Sequence, residues 1–354
     1  MSFSDLDNEQ IRQLVDAEQI FLAWREAERE RRHRYAGSMA WKTIHGHDYL
    51  YRKIGQSSKS LGRRSPETEN AKAAFEQGRK RNADLVKGLR GRIERMAPVN
   101  RALRLGRLPR VCARVLRRLD MAGLLGRNIR VVGTNALFAY ERAAAVQVSA
   151  SIVATGDVDI PYDARTRLKL SISSEIRREG MIGLLRSVDT SFTPSRGNAY
   201  RAVNRDGFMV DLITPPERDP TLPRRLPDRL SSAGSDLVAA EIQGLAWLAY
   251  SPVFEQVVMG EDGVPLCLSC PDPRVFALHK LWLCDRTDRD PGKRRRDRTQ
   301  AAVAAKLCRE RLGLSFDDPA LQVLPAALRG RANELMEEMR ERDEEAGDTE
   351  PDWL

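Results

Sequence analysis

Apolar residues recur along this chain with two periods, and the switches between them lay out its elements. From Asp5 to about Arg34, Ile11, Leu14, Val15, Ile20, Phe21 and Trp24 fall at spacings of three and four, which predicts a helix capped by Ser4. Its end, REAERERRHR, reads as a solvated helix face. Residues 38–53 (SMAWKTIHGHDYLYRK) alternate apolar and polar around Gly46 and predict a β-hairpin. Its aromatics Trp41, Tyr49 and Tyr51 could stack on a base, although packing on the next helix is the commoner role. Residues 56–64 read as a polar, basic loop, and Pro66 opens a long helix over roughly 67–95. Leu103, Leu108, Val111, Val115, Leu116 and Leu119 then mark the apolar face of two short helices.

The stretch 130–160, with the Ile129 that precedes it, is the most informative. The β-branched run 129–132 predicts a strand, broken at Gly133-Thr134 and followed by a short helix carrying Leu137, Phe138 and Tyr140. It closes on Asp157-Val158-Asp159. Beyond it come a short strand at 168–173, a helix at 177–188, and a hairpin (200–204 with 207–213) turning at Asp206-Gly207. Five prolines between 215 and 227 predict a connection between lobes. A helix (242–250), a hairpin (254–268), helices from Pro273 to Asp285 and from about Lys293 to Arg311, and an acidic tail frayed beyond Arg342 complete the chain. The organisation expected is an N-terminal helix (1–35), a β-hairpin and basic helical region (36–125), a catalytic core (126–215), a mostly helical lobe (228–335) and an acidic tail (336–354).

Composition narrows the class. Of 354 residues, 31% are charged and only 6% aromatic, which fits a soluble, partly helical protein better than a β-sandwich. No apolar run approaches the ~20 residues of a membrane span, and MSFSDLDNEQ lacks a signal-peptide pattern, so a cytoplasmic location is expected. Five cysteines, an odd number, favour reduced thiols over a disulfide framework. The net charge of +9 favours polyanionic partners. Nine arginines against one acid, Asp120, lie between Val99 and Arg130, and the planar guanidinium suits phosphate, although solvation is the commoner role of such a face.

Chemistry concentrates at three acids. In a strand, Asp157 and Asp159 project to one side, with Val158 and Ile160 turned to the other. Paired carboxylates repel unless a cation joins them, and Mg²⁺ takes oxygen ligands. Gly133-Thr134 precedes a helix N-terminus, whose free N–H groups favour an anion. Asp211 interrupts the apolar run FMVDLI and needs a partner, either a metal shared with the other two or a buried arginine. Cys267, Cys270, His279 and Cys284 have the residue types of a zinc site, but their spacing suits no common module, and core cysteines are the better reading.

The blocks VVGTNALFAYE, TGDVDI and GFMVDLI, in that order, resemble the nucleotidyltransferase fold of the DNA polymerase β superfamily, with its Gly-Ser/Thr turn, D-x-D strand end and third Asp. GSMAWKTIHGHDYLYRK, SLGRRSPETE, RAVNRDGFMVDLI and DPRVFALHKLWL look like a bacterial family of nucleotidyltransferase-like proteins, over about 36–307. One departure is that 22 residues separate Thr134 from Asp157, about twice the usual gap, so 143–154 reads as an inserted loop or strand.

The resemblance implies an α+β fold, a small mixed sheet flanked by helices, with a helical N-terminal region and a helical C-terminal lobe. It implies that Gly133 and Thr134 hold the β- and γ-phosphates of a nucleoside triphosphate, that Asp157 and Asp159 bridge two Mg²⁺ (or Mn²⁺) ions, and that Asp211 holds the catalytic one. Lys280, Arg286, Lys293 and Asp297 are similar to the Lys…Asp helix pattern of abortive-infection nucleotidyltransferase toxins, which makes Lys280, then Lys293, the candidate for reaching the triphosphate. The function expected is transfer of a nucleoside monophosphate to a hydroxyl of RNA (such as tRNA, through residues 99–130) or of a partner protein, in a toxin or defence role. The competing reading is a non-catalytic nucleic-acid-binding or regulatory module on the same fold.

Overall fold

A computed structural model describes residues 2–126, 129–161, 174–216 and 236–337. The chain divides into two compact units. The smaller comprises Glu9–Leu105 with Asp262–Pro265, and the larger Met1–Asn8, Gly106–Glu261 and Leu266–Leu354.

In the smaller unit, helix Asn8–His33 leads into three antiparallel strands, Ser38–Ile44, His47–Ile54 and Ser57–Arg63. The third strand occupies the segment expected to be a loop. Its QSSKS sequence shows no apolar period, and backbone pairing to the second strand, not burial, makes it a strand. Helix Pro66–Ala102 starts at a reciprocal capping box between Ser65 and Thr68, with Pro66 in the first turn. It runs past the expected end at Arg95 and through Pro98. The last turns are tied down by buried Asn100, which donates to the Gly263 carbonyl at 2.7 Å and accepts from Gln13. The sheet turns one face to this unit's core, where Leu50 is fully buried and the Arg52 guanidinium lies over Phe75 of the long helix.

The larger unit is built on a mixed sheet, so the fold is α+β. Its centre is Met209–Thr214, which pairs parallel with Asp157–Pro161 and antiparallel with Arg201–Val203. Thr193–Pro194 and Ala240–Glu241 extend it. Val158, Ile160, Val210 and Leu212 put an apolar face into a core shared with helices Arg110–Met121, Leu137–Ala143, Pro273–Asp285 and Pro291–Leu307. Tyr140 lies in that core, edge-on to Phe254 and Phe276, with its hydroxyl donating to the Pro271 carbonyl at 2.9 Å.

Several elements differ from expectation. Residues 129–132 form no strand, because their backbone pairs piecemeal, Val131 to Ser269 and Val132 to Asp159. A single helix, Arg110–Met121, stands where two short ones were expected. Part of the inserted segment becomes strand Val146–Val148, antiparallel to Phe3–Asp5. The strand expected at 168–173, most of the proline-rich connection and the acidic tail beyond 337 lie outside the described residues. Among the described residues, no helix is long and apolar enough to cross a membrane.

Candidate functional site

Asp159 and Asp211 are register partners on neighbouring parallel strands, and Asp157 lies two residues before Asp159. Partners in register point to the same side of a sheet, as do residues two apart, so all three carboxylates share one face. The valine, isoleucine and leucine between them are buried on the other, which fixes the register. Burial, then the charges of Asp157 and Asp211, push the Asp159 carboxyl up to about 6, while Lys280 and Arg289 pull it back. The Thr155 hydroxyl donates to Asp157, and Asn135 Nδ2 donates to the Asp157 carbonyl at 2.8 Å.

Asp211 has a partner that residue type alone left open. Arg201, directly across the hairpin, donates from Nε to Oδ1 at 2.7 Å and from Nη2 to Oδ2 at 2.6 Å. This bidentate bond raises the affinity of Arg201 for its proton. Arg201 was missing from the residues proposed from sequence. Counting the hairpin register outward from the Asp206-Gly207 turn would have paired the two.

Gly133 opens a 3-10 turn, Gly133–Ala136, ahead of helix Leu137–Ala143. Its φ of +68° suits glycine, and a Cβ here would lie 2.6 Å from Asp159 Oδ2. The structure therefore brings Gly133 against the Asp159 carboxylate. The Thr134 hydroxyl is engaged elsewhere, accepting from Gln300 Nε2 at 3.1 Å. Gln300 also donates to the Ile152 carbonyl at 2.9 Å. The buried oxygens Asn135 Oδ1 and Gln300 Oε1 beside this turn accept no hydrogen bond.

Helix Pro273–Asp285 carries Lys280 inward, where it is buried rather than placed on a surface. Its Nζ donates to Asp297 Oδ1 at 2.7 Å, and Arg289 Nε donates to Asp297 Oδ2 at 2.9 Å. Burial lowers the Lys280 pKa, opposed by Asp297 and, more weakly, by Asp159. Burial also acts on Asp297, but Lys280 and Arg289 outweigh it and hold that carboxyl low. Lys280 thus belongs to a charge network reaching Asp159. Lys293 does not share it: its side chain is exposed, and its backbone N–H donates to the helix cap Asp290. Arg289 was not proposed from sequence, since it sits in the turn between two helices where no periodicity marks it.

Many of the arginines at 99–130 are bonded within their own units. Arg107 holds Glu141 at 3.0 Å, Arg114 donates to the Val188 carbonyl, Arg118 to Ser187 Oγ, and Arg130 to the carbonyls of Leu248 and Ser251. Cys267, Cys270 and Cys284 are buried free thiols, and Cys270 and Cys284 donate to the Phe254 and Leu281 carbonyls.

As for a metal, no three histidine, cysteine or acidic side chains among the described residues stand ready to hold an ion. Asp211 gives both its oxygens to Arg201. The donor type nonetheless fits a hard divalent cation, because three carboxylates share one face of the sheet and the charges of Asp157 and Asp211 both act on Asp159.

A family model described as nucleotidyltransferase matches residues 110–325, more than half of the chain. No curated protein and no solved structure matches it.

Proposed function

The chain belongs to this nucleotidyltransferase family, and from that premise we propose that it moves a nucleoside monophosphate from a nucleoside triphosphate to a hydroxyl acceptor, on RNA such as tRNA or on a protein. The observation that carries the reading is the register pair Asp159 and Asp211, with Asp157 on the same face beside Gly133. Asp157, Asp159 and Asp211 would hold Mg²⁺ or Mn²⁺. Such ions, when bound, lower the pKa of an attacking hydroxyl and neutralise a leaving pyrophosphate.

The chain's own residues supply position and charge. Gly133, lacking a side chain, lets the Asp159 carboxylate lie directly against the turn. Lys280 and Arg289 bring positive charge to the anionic cluster, and both act on Asp159. Arg201 holds Asp211 in place until the substrate arrives, and its guanidinium is then free to meet a phosphate oxygen. The toxin or defence role is supported by the similarity of the Lys280…Asp297 order to the pattern of the abortive-infection class, the two residues being paired across successive helices.

Incubation with labelled nucleoside triphosphates, Mg²⁺ and total tRNA or cell extract tests this. Wild type should transfer label, and Asp157→Ala and Asp211→Ala should each lose it by several orders of magnitude. Equal labelling by all three would reject the reading. The second reading, a non-catalytic module, is favoured by the occupation of both Asp211 oxygens by Arg201. A calorimetric titration with Mg²⁺-ATP separates the two, since a module of that kind would give no heat of binding.

A further inference from the structure

The three-stranded sheet of the smaller unit has a second face, turned away from the long helix. Register places Lys42, Tyr49, Tyr51, Lys53, Ser60 and Arg63 on it, because Lys42 pairs with Tyr49, Tyr49 with Arg63, and Tyr51 with Ser60. Leu50, between the two tyrosines, points the opposite way and is fully buried. Lys42, Lys53, Ser60 and Arg63 are exposed, and both tyrosines are half-exposed. Lys42 Nζ stands 4.7 Å from the centre of the Tyr51 ring.

Charge on this face is of one sign. On the helices acids stand among the cations, and several pair with them: Arg31 and Arg32 with Glu28, Arg34 with Glu30, Lys72 with Glu76, and Arg90 with Glu94. Asp48, the one acid of the sheet strands, faces the other side and bonds Thr43 and Arg64. No carboxylate pairs with Lys42, Lys53 or Arg63 among the described residues, and no acid occupies their face. A surface made only for solubility mixes both signs. Two aromatic rings about 6.7 Å apart along one strand, ringed by cations of which, among the described residues, only Arg63 has a side-chain hydrogen-bond partner, the neutral acceptor His47, suit bases that stack and phosphates that pair.

We propose that this sheet face binds single-stranded RNA, with Tyr49 and Tyr51 stacking on successive bases and Lys42, Lys53 and Arg63 contacting phosphates. RNA is favoured over DNA because the Ser58 and Ser60 hydroxyls share the face with the rings and can bond a ribose 2′-hydroxyl. A duplex cannot use the rings, since its bases are already stacked. The proposal deepens the transferase reading by giving an RNA acceptor a place to bind, and it rests on that reading only for the RNA's role as acceptor.

Fluorescence anisotropy of the full chain with a labelled single-stranded RNA of mixed sequence tests it. Wild type should bind at 50 mM salt, and Tyr49→Ala/Tyr51→Ala should weaken binding about tenfold or more. Tyr49→Phe/Tyr51→Phe, which keeps the rings, should bind within about threefold of wild type. Lys42→Ser/Lys53→Ser/Arg63→Ser should flatten the plot of log affinity against log salt by about two. Circular dichroism checks that each variant folds. Unchanged binding in both the alanine and serine sets, no binding by wild type, or tighter binding of single-stranded DNA or duplex RNA would overturn the proposal. So would sedimentation showing a dimer that the same substitutions dissociate, since the face would then join two copies. Asp157→Ala should bind RNA as wild type does. Intact binding without label transfer would reject the catalytic reading alone, and transfer with binding indifferent to these residues would sink the sheet face alone.

Discussion

Gly133 faces Asp159 so closely that a side chain at 133 would start 2.6 Å from the carboxylate oxygen. Gly133→Ala would also hold an L residue at φ +68°, at a cost of about 1–2 kcal/mol. The substitution should therefore displace the Asp159 carboxylate and cut label transfer about 10²-fold, with only a modest drop in thermal midpoint. Transfer at the wild-type rate would show that the turn does not shape the site.

Arg201 is the counter-charge of a buried carboxylate. Arg201→Ala leaves Asp211 unpaired beside two further acids and should lower unfolding free energy by roughly 3–5 kcal/mol in urea titrations. Arg201→Ala/Asp211→Asn should recover part of that loss. If the carboxylates take a divalent cation, millimolar Mg²⁺ should raise the thermal midpoint of Arg201→Ala more than that of wild type. Equal shifts would count against a metal at Asp211.

Asp297 is fully buried between Lys280 and Arg289, so its removal strands two cations whereas removal of Lys280 strands none. Urea unfolding should rank Asp297→Ala as more destabilising than Lys280→Met, the former by about 3 kcal/mol or more. A folded Lys280→Met that transfers label normally would leave the lysine a purely structural role.

His279 supplies a pH dependence. Its ring is buried against Trp247 and Trp282, and Nε2 has no hydrogen-bond partner. Burial, helped by neighbouring Lys280, lowers its pKa from 6.5 to about 3. The unfolded chain thus binds a proton that the folded one refuses. The stability held by the neutral ring is complete above pH 6.5 and is lost as pH falls from there toward 3. Between pH 7 and 4 this amounts to roughly 3 kcal/mol. Urea midpoints across that range should fall in wild type and fall less in His279→Phe. Parallel slopes would remove His279 as the cause.

Patterning in the chain located the longest elements, although it divided the helix Arg110–Met121 in two and made a strand of 129–132. The long helices announced themselves by apolar spacing and by Pro66 and Pro273 in their first turns, and the Asp206-Gly207 turn marked the hairpin that carries Asp211. The third strand of the smaller unit had no such signal. Its residues bury little, and its stability comes from backbone bonds to a neighbour that the local sequence does not specify.

By itself, the sequence determined that Asp157 and Asp159 share a face, since two residues along a strand make one pleat, and that Asp211 required a partner inside an apolar run. Only the tertiary structure decided which partner it has. Strand pairing set Arg201 and Asp159 on either side of Asp211, and helix packing drew Lys280 inward to Asp297 while leaving Lys293 at the surface. Periodicity constrains neighbours within one element, whereas contacts between elements depend on register and on packing across a core, which no local spacing encodes.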